Sequence, residues 1–426
     1  MAAKRTPKKK RSFHQDLVLN RWLLGFFNGD NIQKLKLRLG EDRYEGLHED
    51  GQSSLFFHEL TGNLFNIDRI SESELRRYDL NIVGYWREIT GLRNTREGHV
   101  LQLKYFQYLS LLFTEIYLDW YFNRKQQLLD GLNETLDQFH ADEGHDLFQR
   151  FTADDLNKIA FWNATGSGKT LLLHVNVKQY LHYFQAGRDS VYPDKIILLT
   201  PNEGLSKQHL EEAQLSGFGF TKLFEKDKEP DFRGTIEVID INKLGDSMGD
   251  KTVAVDAFEG NNLVLVDEGH RGTGEKAEAW MRRRKALISK GFAFEYSATF
   301  GQAVGKGPTV EKAEDEIRKS KAKVIHGTTK LKDIAKEDIA RVTLTSEDKQ
   351  KARDRATRET YAKCTLFDYS YKFFYDDGYG KEFLILNLKD GKDNDDRRLY
   401  FTACLLSFYQ QIWLWDTQRE ALIDYN

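Results

Sequence analysis

Residues 163–170, Asn163-Ala164-Thr165-Gly166-Ser167-Gly168-Lys169-Thr170, have the types and spacing to hold a polyphosphate. Glycines at 166 and 168 let the backbone turn tightly, so that successive N–H groups and a following helix N-terminus face one anion. Lys169 adds a positive charge on a long stem for the outer phosphates, and Thr170 adds a hydroxyl that suits Mg²⁺. The string follows an apolar run, Ile159 to Trp162, and precedes a helical pattern, Leu171 to Phe184, which is the strand, loop and helix order of a P-loop. One position departs from the strict pattern: the residue six before the lysine, normally Gly, is Asn163.

Two further strings complete the chemistry. Asp267-Glu268-Gly269-His270 closes the continuous apolar run Asn262 to Val266, which reads as a buried parallel strand. Ligands of open α/β sheets bind at the carboxyl ends of strands, where these acids would sit. Mg²⁺ takes hard oxygen ligands and keeps several waters, so Asp267 with Thr170 is the expected metal pair. Glu268 is then the expected base for the attacking water. Ser297-Ala298-Thr299 ends another short strand, Phe292 to Tyr296, and its hydroxyls are placed to sense the carboxylate site by hydrogen bonding.

These strings together resemble a superfamily 2 helicase or translocase of the DExH type. Ile196 to Asn202 resembles the family's motif Ia, whose exit loop meets the nucleic-acid backbone, and Ile236 to Asn242 resembles the next strand and its DNA-facing end. The likeness implies nucleic-acid contacts at Thr200 and Asp240, and coupling roles for His270, Ser297 and Thr299. Leu103-Lys104-Tyr105-Phe106-Gln107 resembles the segment whose glutamine reads adenine, which makes Gln107 the adenine candidate; a surface Gln on an amphipathic helix is the other reading. Within the superfamily, the chain is most similar to the ATPase subunit of type III restriction enzymes and related defence helicases. Asn163 fits that group, as do Arg271-Gly272 and the aromatic stretch Leu366 to Tyr375. The resemblance implies ATP and Mg²⁺ as cofactors, double-stranded DNA as the expected nucleic acid, and a methyltransferase subunit as an expected partner.

Elements must position these residues. Strands are predicted near 159–162, 196–200, 236–241, 263–266 and 292–297, separated by helical patterns. That alternation predicts an α/β, RecA-like P-loop domain with a parallel sheet flanked by helices over 96–305. Residues 1–12 read as a basic disordered tail. Residues 13–95 read as an N-terminal accessory α/β region, with Asn28-Gly29 and Asp50-Gly51 as turns. Residues 306–360 are charged and read as a mobile insertion or exposed helices. In 361–426, an aromatic-rich region expected to lead to a second RecA-like domain, Tyr369, Tyr371 and Phe373 alternate as in a half-buried strand. Core packing and a stacking platform for single-stranded bases are the two readings there.

Composition sets outer bounds. The chain has 426 residues, 40% apolar and 30% charged, as in soluble globular proteins. No stretch matches the run of about 18 uncharged apolar residues that crosses a membrane; the best, Tyr105 to Phe122, contains Glu115 and Asp119. Two cysteines give neither a disulfide framework nor a zinc set, so a reduced, cytoplasmic setting is expected. The net charge is −3, although Lys4, Arg5, Lys8, Lys9, Lys10 and Arg11 crowd the first twelve residues without an acid. Nucleic-acid contact by the remainder must therefore use local grooves rather than a global basic field. The tail itself reads as a solubilising terminus or a phosphate contact.

Nothing after Thr299 resembles the family's arginine-bearing motif VI. Arginine fingers contribute about 10³ to 10⁵ in rate, so very low activity is expected of this chain alone. The sequence thus reads as the ATP-binding, C-terminally incomplete half of a DNA-dependent motor. A nucleotide-gated binding module without translocation and an RNA helicase are the alternatives.

Overall fold

In the computed structural model, the described residues are 13–28, 32–143, 148–186, 192–225, 233–245, 253–254, 258, 260–267, 283, 286–288, 290–300, 308–380 and 394–423. The sheet that carries the site has seven strands, all parallel: β1 (Lys158–Asn163), β2 (Ile196–Thr200), β3 (Thr221–Leu223), β4 (Ile236–Asp240), β7 (Leu263–Asp267), β8 (Phe292–Ser297) and β9 (Thr365–Tyr369). Their order across the sheet is β3-β4-β2-β7-β8-β1-β9. A small parallel pair, β5 (Leu244–Gly245) and β6 (Val253–Ala254), stands apart from it. Each strand predicted from a continuous apolar run is present, and β2 and β8 are buried along their whole length. Strands covered on both faces lose the alternation that marks a half-exposed strand.

Helices cover the sheet, as the RecA-like reading requires. The helix α7 (Lys169–Gln185) follows β1, and α8 (Glu203–Leu215) follows β2. The helix α5 (Tyr105–Asn123) is buried from Tyr105 to Asp119, which explains its near-continuous apolar sequence: it is a core helix. No described helix is long and apolar enough to cross a membrane. One core cluster gathers Ile197, Leu199, Ile239, Val264, Val266 and Ala293 on one part of the sheet.

Two expectations change, and one of the two readings of residues 306–360, helices, is found. The 13–95 region is helical rather than α/β: it contains α1 (Val18–Leu24), α2 (Ile32–Leu39), α3 (Leu55–Asn63) and α4 (Glu72–Glu97). The Asp50-Gly51 turn closes only an isolated bridge, Leu47 to Ser54, before α3 starts. A capping box of Ser71 and Glu74 starts α4, which runs through the expected boundary at 95 and stops at left-handed Gly98.

The charged 306–360 segment forms α9 (Pro308–Ile325), α10 (Lys336–Ala340) and α11 (Ser346–Tyr361). Its small residues decide the packing: Ala313, Ala352 and Ala356 sit in a buried cluster with Val310, Phe300 and Tyr361.

The alternation around Tyr369 stops at that residue. Thr365–Tyr369 is the buried edge strand β9, paired with β1, whereas Tyr371–Asp376 is the short helix α12. Residues through Ser370 therefore belong to the first compact unit. The exposed edge of β9 is covered by the N-terminal segment: Asn20 Nδ2 donates to Leu366 O at 2.8 Å, and Val18 N to Ala362 O at 3.0 Å. The second unit, Tyr371–Asn426, contains α12 and the long helix α13 (Asn394–Ile423), whose Phe401, Leu405, Phe408 and Trp413 are exposed.

Candidate nucleotide-binding site

The loop between β1 and α7 has the form its glycines imply. Gly166 and Gly168 take φ values of 91° and 84°, the left-handed region where a side chain is strained. The Ala164 carbonyl accepts from Ser167 N at 3.2 Å and Ser167 Oγ at 2.8 Å, which closes the turn. Ala164 N donates to Tyr369 O at 2.9 Å, so β9 anchors the loop from beneath. Thr165 and Gly166 are exposed, while Lys169 and Thr170, the first residues of α7, are half-buried. A tight turn leading into a 17-residue helix aims the positive helix end at one point. These residues fit a phosphate chain.

Gln107 is brought to this loop from α5. Its Nε2 donates to Ser167 O at 3.1 Å, and its Oε1 accepts from Lys104 N at 3.0 Å. The side chain is buried, which excludes the amphipathic-surface reading. Each end of the amide keeps one hydrogen-bonding capacity, a donor and an acceptor, matching the N7 and N6 pattern of adenine.

Asp267 ends β7, two strands from β1 in the sheet order, so it shares the carboxyl edge with the loop. Its Oδ2 lies 2.8 Å from Nε2 of His209 on α8. This partner was missed in the sequence; the available signal was a histidine in the stripe Ser206, His209 and Ala213, the buried face of α8. Tyr296, in register with Asp267 on β8, donates its hydroxyl to Asn176 Oδ1 on α7 at 2.6 Å. Burial, with the Asp267 charge adding to it, raises the Tyr296 phenol well above its usual range, so it stays a donor. Glu268 and His270 lie outside the described residues.

Ser297 and Thr299 stand at the exit of β8, beside β1. Ser297 Oγ accepts from Thr299 N at 3.1 Å, and Ala298 O accepts from Trp162 Nε1 at 2.9 Å. Thr299 Oγ1 is buried without a hydrogen-bond partner among the described residues, and so are both polar atoms of the fully buried Asn163. Buried polar atoms at the mouth of a phosphate loop fit a polar ligand there.

The proposed nucleic-acid contacts divide. Thr200 is 1% exposed and its hydroxyl is engaged with Ser206 Oγ at 2.6 Å, which leaves a backbone contact to this position. Glu203, Gly204, Lys207 and Gln208 are exposed at this exit. Asp240 Oδ1 accepts from Asn242 N at 2.9 Å, capping a one-turn helix.

A second group of potential ligands is structural. One ligand atom each from His48, Asp50 and His58 lies within 4.8 Å of the others. The two imidazoles stack at 3.8 Å with 28° between planes. Ser53 Oγ bridges Asp50 and His58, and with the N–H groups of Gln52 and Ser53 it holds the Asp50 carboxyl far below its usual range. The group fastens a turn.

Residues 123–302 match the family model described as "Type III restriction enzyme, res subunit". No curated protein matches the chain. Among solved structures, it is similar to one titled "The crystal structure of T4 UvsW", at 14% identity and a TM-score of 0.26. The alignment covers 41% of this chain and 40% of that one.

Proposed function

We propose, for a chain whose residues 123–302 form a helicase-type ATPase domain of the type III restriction res-subunit kind, that ATP hydrolysis here drives movement along double-stranded DNA. The observation that carries the reading is the left-handed loop at the head of α7, with Gln107 on one side and Asp267 on the same sheet edge.

In this reading, loop N–H groups and the Lys169 ammonium hold the β- and γ-phosphates, and Gln107 selects adenine. Thr170 and Asp267 would hold Mg²⁺, which would supply positive charge to the phosphate oxygens. Glu268 orients the attacking water and takes its proton as oxygen bonds to the γ-phosphorus and the ADP oxygen leaves. Ser297 and Thr299 couple that event to nucleic acid gripped near the exits of β2 and β4. Fast turnover in this reaction class would use an arginine finger, supplied in cis or in trans.

Single-turnover hydrolysis with protein in excess over labelled ATP tests this. Slow ADP formation, faster with duplex DNA than with RNA, is the expected result; the reverse preference assigns RNA instead. Glu268→Gln should bind ATP normally and form ADP at least about a hundredfold more slowly. Normal turnover by Glu268→Gln would remove the base assignment.

A further inference from the structure

The helix α8 joins two parts of the site that the sequence treats separately. Its first turn is built on the β2 exit: Asn202 Oδ1 accepts from Leu205 N at 2.9 Å, and Ser206 Oγ meets Thr200 Oγ1 at 2.6 Å. One turn later, on the same buried face, His209 reaches Asp267 at 2.8 Å. The far end is fixed as well, since His174 Nδ1 of α7 lies 2.8 Å from Ser216 Oγ and Arg93 of α4 pairs with Glu212. The helix is held at both ends, with a single imidazole aimed at the acid.

We propose that His209 is a positioning residue: it orients Asp267 for the divalent cation and transmits to it the engagement of nucleic acid at the Thr200–Glu203 loop. The inference rests on the ATPase reading above. An ionised carboxylate only accepts, so His209 Nε2 donates to Oδ2 and leaves Oδ1 to the cation. Imidazole partners of this kind fix a ligand's rotamer, and their removal costs about 10- to 100-fold in metal affinity. His209 is 3% exposed, so little but α8 itself can move the ring. Its Nδ1 has no hydrogen-bond partner among the described residues, so the Asp267 contact alone orients it by hydrogen bonding. A local adjustment of the first turns of α8, made when Lys207 exchanges its ion pair with Glu203 for a phosphate backbone beside Gln208, would therefore be delivered to Asp267.

The test uses Mn²⁺ as the probe, titrated by electron paramagnetic resonance into the full chain with a non-hydrolysable ATP analogue, with and without duplex DNA. Wild type is expected to bind Mn²⁺ saturably, with DNA shifting the midpoint. His209→Leu should raise the midpoint about tenfold and abolish the DNA-dependent shift, while metal-free binding of the analogue stays unchanged. His209→Gln, which keeps a donor, should restore the midpoint to within about threefold of wild type, and it maintains the test if the leucine variant does not fold. Unchanged midpoints and an unchanged DNA shift in His209→Leu would overturn the proposal alone. Failure of wild type to bind the analogue with or without metal would overturn the ATPase reading, and this inference with it.

Discussion

Gln107 Nε2 donates to the Ser167 carbonyl across 3.1 Å, fastening the first turn of α5 to the phosphate loop from outside the β1–α7 unit. The contact is made beside Gly168, whose missing Cβ would lie 2.5 Å from that same nitrogen. Glycine at 168 thus serves both the backbone turn and the approach of the glutamine. In the proposed reading, base recognition and phosphate binding would share this joint.

Replacing the amide by a carboxylate separates the two roles. Gln107→Glu loses the donor to Ser167 O and sets an anion beside a carbonyl oxygen. ATP affinity is expected to fall at least about tenfold, or about 1.4 kcal/mol, with the preference over GTP reduced. Competition of ATP and GTP against a fluorescent analogue measures both. Unchanged discrimination would remove the adenine role while leaving the phosphate loop intact.

Gly168→Ala should act on both sides of the joint. A side chain at φ 84° costs about 1–2 kcal/mol, and the new methyl must displace Gln107. A lowered Tm together with weakened ATP binding is the expected outcome. Lost ATP binding without a lowered Tm would show that the backbone strain is absent.

Glu115 gives the fold a pH dependence. Burial pushes its carboxyl up to about 7, against hydrogen bonds from Tyr183 and Asn81 that favour the charged form. With the folded value raised, its contribution is fully present below the ordinary glutamate range near 4.5. It is lost as pH rises toward 7. Glu115→Gln should therefore raise Tm at pH 8, by an amount corresponding to as much as about 3 kcal/mol, and do little at pH 4. Chemical denaturation at both pH values checks it, and equal effects would contradict the burial argument.

Asp16 ties the N-terminal segment to α11 through Arg358 Nε at 2.6 Å. The carboxylate is 1% exposed, so Asp16→Ala should cost about 2 kcal/mol and loosen the cover of β9. Hydrogen exchange should show reduced protection at Leu366 and Phe367. Full protection there would place the anchorage of β9 elsewhere.

The parts of this site legible in the sequence are those that local chemistry dictates. Gly166 and Gly168 announce a left-handed turn, and unbroken apolar runs announce buried parallel strands. Asp267 follows from its place at a strand end. Four features depend on long-range packing and could not be read that way. Strand β9 pairs with β1 from some 200 residues away. The Asp50-Gly51 dipeptide looks like a hairpin signal, yet it closes only the isolated Leu47–Ser54 bridge before α3, which packs on α4. His209 looks like one more polar residue of a charged helix until its Nε2 is found 2.8 Å from Asp267 at the end of β7. Asn163 was noticed as an anomaly of pattern, whereas its burial without partners is visible only in three dimensions.

The central claim is that residues 163–170 hold the phosphates of ATP. Equilibrium titration of a fluorescent ATP analogue with Mg²⁺ into wild type and Lys169→Ala, each shown to be folded by its melting curve, tests it most directly. Saturable binding by wild type, weakened at least about a hundredfold in Lys169→Ala, is the expected result. Equal affinity in the two proteins would contradict it.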